Sequence, residues 1–415
     1  MTEIQAPQPL GLQPSFGFGD RLGLATPGHL DALRSYGGEI LPIFAQQSIR
    51  EMSRTGRKPS DVMQDATRAL AAASYTGIWS ADADHLKTPE DVNATAGAGF
   101  VFFTIDPSDY VDPQADDYPI DVLGKKFLDI RDDVNWADDY IGRTVSLSTG
   151  DKIEFDLTTV RRAAVKYGRA IAHAVKMGAH CDRVMGKRDG KYEIELSVDE
   201  TPQPTTPAEH YIIAEQCLRA NVRLVSLAPR YVGDFEKGID FKGDIAAFEQ
   251  SLKTHAAIAK QLGPYKLSLH SGSDKLSIYE IFARVTAGQF HVKTAGTSYL
   301  EALRVAARHE RKLFRRVIDF SRERFERDRA TYHISARLEN VPSPAAISDD
   351  AKLEQLYLDL DDGRQILHVT FGSVLSDTGL GPAVRDVLAA HPETHRDVLA
   401  RHFGNHLKAL CRGLK

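Results

Sequence analysis

The chain has 415 residues, 42% hydrophobic and 26% charged, and 52 basic against 57 acidic residues give a formal net charge of -5. That length holds two or three small domains or one (β/α) barrel with insertions. The intermixed charges supply no basic field for nucleic acid or an anionic membrane, so neither is expected as a partner. Cys181, Cys217 and Cys411 form no CxxC pair, which argues against a disulfide framework or a zinc knuckle and fits a reducing cytoplasm. The opening MTEIQAPQPL has neither a basic n-region nor an apolar h-region, and no apolar run reaches about 20 residues. The expectation is a soluble cytoplasmic protein that keeps its N-terminus.

Short β-branched or aromatic runs recur along the chain, each closing on polar residues and followed by a helical pattern, as in repeated βα units. In order they are Ser15–Asp20, Leu41–Ser48, Gly77–His85, Phe100–Asp109, Tyr192–Thr201, Val222–Tyr231, Tyr265–Asp274, Phe290–Gly296 and Ile366–Val374. Thr26 with Pro27 opens a helix that Gly37 stops, and Ser60 opens DVMQDATRALAAA in the same way. Eight parallel strands close a barrel, so one of the nine runs is surplus, and the glycine-rich first run and the last run fit the pattern least well. Tyr110–Tyr140, rich in Asp and Pro, reads as a solvated loop or lid, and Leu338–Gly363 as a second insertion. One long helix is expected from Ser298 to about Arg329, with a solvent-facing charge stripe.

Polar residues alternate inside the runs: Ser80, Asp82, Asp84; Thr104, Asp106; Glu195, Ser197, Asp199; Ser268, His270; His291, Lys293; His368, Thr370. A period of two puts each set on one strand face and apolar residues on the other. An open doubly wound sheet needs near-continuous apolar strands. A (β/α)8 barrel of the TIM type instead tolerates a polar inner face, where catalytic groups collect at the strand C-termini. The expected architecture is therefore one such barrel over residues 1–415, with insertions at about 110–150 and 338–363.

Several motifs carry nothing. Gly17, Gly19 and Gly23 do not make the dinucleotide fingerprint, and no Walker A sequence occurs. His391 and His395 flank Glu393 in the wrong order for a zincin, and His402 and His406, at i,i+4 in a terminal helix, read as surface histidines. His85 and His270 differ, because each closes a predicted strand beside carboxylates. With the Tyr192–Thr201 strand they come from alternate strands and share a layer in a closed barrel. Two imidazoles with one or two carboxylates and an open position suit Zn, Mn, Ni or Co. Glu236 and Asp199 are the candidates for the third ligand. Glu195 and Lys266 point inward before their strand ends and offer each other a partner, while Lys293, Lys275 and Arg230 are the cations available to an anionic substrate.

The strings ADADH (81–85), FFTIDPSD (102–109), SVDET (197–201), EKGIDFKGD (236–244), HSGSDK (270–275), HVKTAGTSYLEA (291–302) and HVTFGSVL (368–375), with PIFAQQS (42–48), resemble the tagaturonate/fructuronate epimerases of hexuronate catabolism. The resemblance runs from about Gly11 to the end. It implies a metal-dependent isomerase interconverting D-tagaturonate and D-fructuronate, with Asp84 as proton acceptor, Glu195 or Asp199 as donor, and His85 and His270 as metal ligands. The two ketouronates differ at ketose carbon 4, whose hydrogen the ketone does not acidify, so retro-aldol cleavage and re-addition is the expected route. Alternatives are a metal-dependent sugar isomerase, an aldolase on sugar acids, or a promiscuous fructose/tagatose 4-epimerase. The oligomeric state is left open.

Overall fold

The computed structural model describes residues 4–187, 190–294 and 296–415. Strands β1 (Ser15–Gly19), β2 (Leu41–Ser48), β3 (Ser80–Leu86) and β4 (Phe102–Ile105) are followed by a two-stranded antiparallel hairpin, β5 (Thr144–Ser146) and β6 (Lys152–Glu154). Then come β7 (Glu193–Ser197), β8 (Leu224–Ala228), β9 (Lys266–Leu269) and β10 (Phe290–Thr294). All but the hairpin strands pair in parallel and close a barrel in the order β1-β2-β3-β4-β7-β8-β9-β10, with β10 returning to β1. This is a (β/α)8 barrel of the TIM type.

Eight of the nine runs are barrel strands, the glycine-rich first one included; Ala295 in the eighth run lies outside the described residues. The ninth run, Ile366–Val374, is helical, in helices Asp361–Val369 and Phe371–Ser376. Its composition favours a strand, but Ile366, Leu367 and Val374 are buried in a helical core, and tertiary packing overrides so weak a preference.

The alternation has its expected cause. Ala81, Ala83, Phe103, Ile105, Ile194, Leu196, Leu267 and Leu269 join the main core beneath the surrounding helices. Their strand neighbours Asp82, Asp84, Thr104 and Glu195 meet one another and Lys293 of β10 inside the barrel. Leu10, Ile43 and Phe102 form a separate small apolar cluster below that polar layer, toward the strand N-termini.

The 110–140 segment is not a lid. Its helix Ile120–Asp129 buries Leu123 and Phe127, and Ile130, Val134, Ala137 and Tyr140 also enter the main core. Arg162, on the long helix Leu157–Met185, donates to the carbonyls of Ala115 and Asp116 at 2.6 and 2.7 Å. The segment is thus packed against the outside of the barrel.

After β10 the chain forms two helices, Thr297–His309 and Arg311–Asp328, in place of the single one expected. An excursion of helices up to Ala390, carrying the buried Leu353, Tyr357 and Leu358 of the 338–363 insertion, builds a second apolar core. The last helix, Pro392–Gly413, then packs between Thr26–Tyr36 and Leu276–Val285, where the eighth barrel helix belongs. The excursion reaches the C-terminal mouth of the barrel through Tyr332 and His368. Among the described residues no helix is long and apolar enough to cross a membrane, and the three cysteines are unpaired.

Candidate active site

The inner face of the barrel places one lysine among three acids. Lys293 Nζ on β10 lies 2.7 Å from Asp82, 2.7 Å from Asp84 and 2.9 Å from Glu195, and donates to Thr104 as well. All of these side chains are at least nine-tenths buried, so the carboxylates would be untenable without that charge among them. Glu195 also meets His270 Nε2 at 2.6 Å, and Asp199 lies 3.3 Å from Nδ1 of the same ring. The pairing of Glu195 with Lys266 does not form as an ion pair: Lys266 donates to Ser15 Oγ at 3.0 Å.

Local backbone aims the two imidazoles. His85 sits at φ +53°, where the β3–β4 register shifts between Ala83 and Leu86, and such an irregularity re-aims a side chain. Asp106, two residues beyond Thr104, accepts from or faces His85 Nδ1 at 3.0 Å and fixes the ring. His270 leaves β9 into a loop whose Ser271 and Asp274 also adopt positive φ. The two rings stand 5.3 Å apart between centroids. Asp84, His85 and His270 offer ligand atoms all within 4.8 Å of one another.

The electrostatics fit a cation. Burial alone would discharge both imidazoles, yet Asp84 and Asp106 raise His85 to about 9, and Asp199 and Glu195 raise His270 to about 10. The carboxylates therefore draw positive charge to this point. Against burial, His85 and Lys293 hold Asp84 well below the usual carboxylate range, and Lys293 and His270 do the same for Glu195. Asp199 is held at about 2, against burial, chiefly by His270. Asp82 goes the other way: burial pushes it up to about 7 in spite of Lys293.

These groups open into a cleft with two lobes. Asp84, His85, His270 and Lys293 line the inner lobe together with Arg21, Arg50, Lys237, Tyr332 and His368; Asp199 and Arg230 line the outer one. Three expected residues do not line it: Glu195 is fully buried behind His270 and Lys293, and Glu236 and Lys275 face elsewhere. Glu236 Oε2 accepts from Ser335 N at 2.7 Å, Ser335 Oγ at 2.8 Å and Gln365 at 2.7 Å, so its carboxylate faces the C-terminal excursion and stands apart from the two imidazoles. Lys275 is fully buried and donates to the carbonyls of Glu236 and Ser273 at 2.8 and 3.1 Å and to that of Ile239. It ties loops together and has no donor left for a substrate. Lys293 lines the cleft but is saturated by acids, and Arg230 donates to the carbonyls of Tyr231 and Gly233 at 3.0 and 2.7 Å. Glu236→Ala should therefore leave metal content at the wild-type level while lowering unfolding stability by about 1–3 kcal/mol, the cost of leaving buried partners unsatisfied; metal analysis beside thermal melts checks both.

His402 and His406 are not surface residues. With Asp274 they form a second group of cation-ligand type. However, His406 Nε2 accepts the Asp274 backbone N–H at 2.9 Å, and Arg364 takes the Asp274 carboxylate at 2.8 Å. The group works as a clamp that anchors the loop bearing His270 to the last helix.

Sequence reasoning singled out neither Arg21 nor Lys237, which come from loops without strand periodicity. Thr104, Asp106 and His368 did carry a signal in the two-residue alternation, although His368 reaches the cleft from a helix.

A closed barrel whose C-terminal mouth gathers ionised carboxylates, two imidazoles and a shared lysine around a cleft is the arrangement of an enzyme working on a small polar substrate. Comparison with known proteins narrows it. The tagaturonate epimerase family model matches residues 1–410. A tagaturonate/fructuronate epimerase from Thermotoga maritima is 43% identical over 407 residues, covering 96% of this chain and 81% of that protein. The crystal structures of fructuronate-tagaturonate epimerase UxaE from Cohnella laeviribosi, native and glycerol-complexed, superpose with a TM-score of 0.91 at 37% identity, covering 98% of this chain and 83% of theirs. The chain belongs to the tagaturonate epimerase family, and its relatives place it among the isomerases.

Proposed function

We propose that the protein interconverts D-tagaturonate and D-fructuronate by inverting ketose carbon 4 through retro-aldol cleavage and re-addition, with a divalent cation held by His85 and His270. The observation that carries the reading is the convergence of Asp84 with both imidazoles at the inner end of the cleft. An ionised Asp84 is in the right state to take the proton from the carbon 4 hydroxyl. As it does so the carbon 3–carbon 4 bond breaks, its electron pair passing to carbon 3 and the ketone to give an enediolate, and carbon 4 becomes an aldehyde. The aldehyde turns, carbon 3 adds to its other face, and a proton returns to the new alkoxide. Asp199, at Nδ1 of His270, and Glu195, at Nε2 of the same ring and sharing Lys293 with Asp84, are the carboxylates that would relay that proton back, and acid–base help of this kind contributes about 10²–10⁴-fold. Lys293 holds Asp82, Asp84 and Glu195 together so that proton transfers occur among fixed charges. A bound cation would stabilise the charge that develops on the ketose oxygens, a Lewis-acid contribution of several kcal/mol. Zn, Mn, Ni or Co suits two nitrogens with a carboxylate nearby.

NMR of fructuronate incubated with purified protein, alongside metal analysis, tests the reading. Tagaturonate should accumulate, a carbon-isotope effect should appear at carbon 4, and traces of tartronate semialdehyde should escape. Rapid solvent deuterium uptake at carbon 4 would replace bond cleavage with direct proton transfer.

A further inference from the structure

A ketouronate brings a carboxylate that the active cleft has to receive, and of the three cations expected for it two are saturated by acids or carbonyls. We propose that the carboxylate is bound by Lys237 and Arg21 beside the imidazole of His368, a subsite completed by the C-terminal helical excursion. The inference rests on the ketouronate reading above and assigns the part of the site that recognises the acid.

Lys237 lines both lobes of the cleft, and its Nζ donates to Ser271 Oγ at 2.6 Å. Among the described residues it makes no ion pair, because its neighbour Glu236 is turned to Ser335 and Gln365. Arg21 lies under the inner lobe with its guanidinium 3.5 Å from the Phe371 ring centre. Its Nε and Nη2 hold Glu51, while Nη1 is buried without a partner. Such an orphaned charged donor is expensive unless a ligand or water takes it. His368 is 2% exposed and its Nδ1 is likewise unpartnered. Burial, with Arg21, Lys237 and Arg364 nearby, holds it far below its ordinary range, so the ring is neutral and one nitrogen can donate.

The room for that ring is reserved by two glycines. A Cβ on Gly296 would stand 1.8 Å from His368 Cε1, and one on Gly238 would stand 2.9 Å from Nδ1. Barrel strands and the turns at their C-terminal ends thus supply the acids, Lys293 and the two imidazoles His85 and His270, loops supply Lys237 and Arg21, and an excursion helix supplies the neutral imidazole of His368. A hexose entering the same cleft would leave Lys237 and Arg21 Nη1 unpaired, whereas a uronate satisfies both, so the subsite selects for the acid.

Lys237→Met, Lys237→Gln and Lys237→Arg, assayed as the metal-loaded full chain on D-fructuronate, test the inference. The half-exposed position lets all three fold, and thermal melts and metal content verify it. For Met and Gln, KM should rise at least tenfold with a much smaller change in kcat and unchanged metal, and Arg should restore KM to within about threefold. Gly296→Ala, which displaces the His368 ring, should also raise KM. If KM stays within twofold of wild type for Met and Gln, the carboxylate lies elsewhere and the inference fails while the function stands. A wild-type protein inactive on fructuronate would sink the function itself and the subsite with it.

Discussion

Asp84→Asn should lower turnover of fructuronate by about 10²–10⁴-fold, the range for loss of a general base, while the protein keeps its full complement of metal. Asparagine has the same shape and still offers an oxygen to Lys293, but it cannot take a proton at neutral pH. The variant also separates two roles that the geometry allows Asp84. Its carboxylate lies 3.8 Å from His85 Nε2 as well as 2.7 Å from Lys293, so it faces both the cation position and the acids. If metal falls with turnover, Asp84 is a ligand and the base is another carboxylate, with Glu195 next in line. If turnover persists at more than about a tenth of wild type, the assignment as base is wrong.

His270→Ala should abolish both metal binding and turnover. This ring joins more of the site than any other expected ligand, meeting Glu195 at 2.6 Å and Asp199 at 3.3 Å while sharing a ligand cluster with Asp84 and His85. Loss of a residue that merely orients a ligand costs 10–100-fold in metal affinity, and loss of the ligand itself should exceed that. The two acids, left without their imidazole, would also repel each other and disturb Lys293. Metal analysis after gel filtration, paired with an activity assay at added metal, reads both effects. A variant that still binds stoichiometric metal would move the cation away from His270. Because Asp274 clamps the same loop to the last helix through His406 and to the helix Asp361–Val369 through Arg364, far-UV dichroism should remain that of the wild type.

The barrel was legible because one physical demand repeats eight times: each strand must hide an apolar face under helices and may keep a polar one inside. Ala81 and Ala83 against Asp82 and Asp84, or Ile194 and Leu196 against Glu195, show it residue by residue. The same demand turned Asp84, Glu195 and Lys293 inward, whereas His85 is aimed by a register shift at positive φ, and Asp199 and His270 stand in the turns just past β7 and β9. Two errors share a cause. Ile366–Val374 has strand-like composition, yet it packs in a helical core, and periodicity over nine residues does not separate a buried strand from a buried helix. The acidic 110–140 segment looked like a lid because its charges are visible in the sequence, while the apolar side of Ile120–Asp129, which docks it to the barrel wall, is spread over helical spacing.

Charge assignments divide in the same way. Sequence alone determined which residue types stand on which strand face, and with them the family, the barrel and the inner acid–imidazole cluster, because local spacing dictates direction within a strand. It did not determine what each cation does. Lys275, Lys293 and Lys237 are chemically alike, and only the tertiary structure decided that the first is spent on carbonyls, the second on carboxylates, and the third left to face the cleft. Glu236 was separated from the two imidazoles by Ser335 and Gln365, about 100 or more positions along the chain. An ionic partner is chosen by distance in space, which loops and a returning helix set, and no spacing within the chain encodes it.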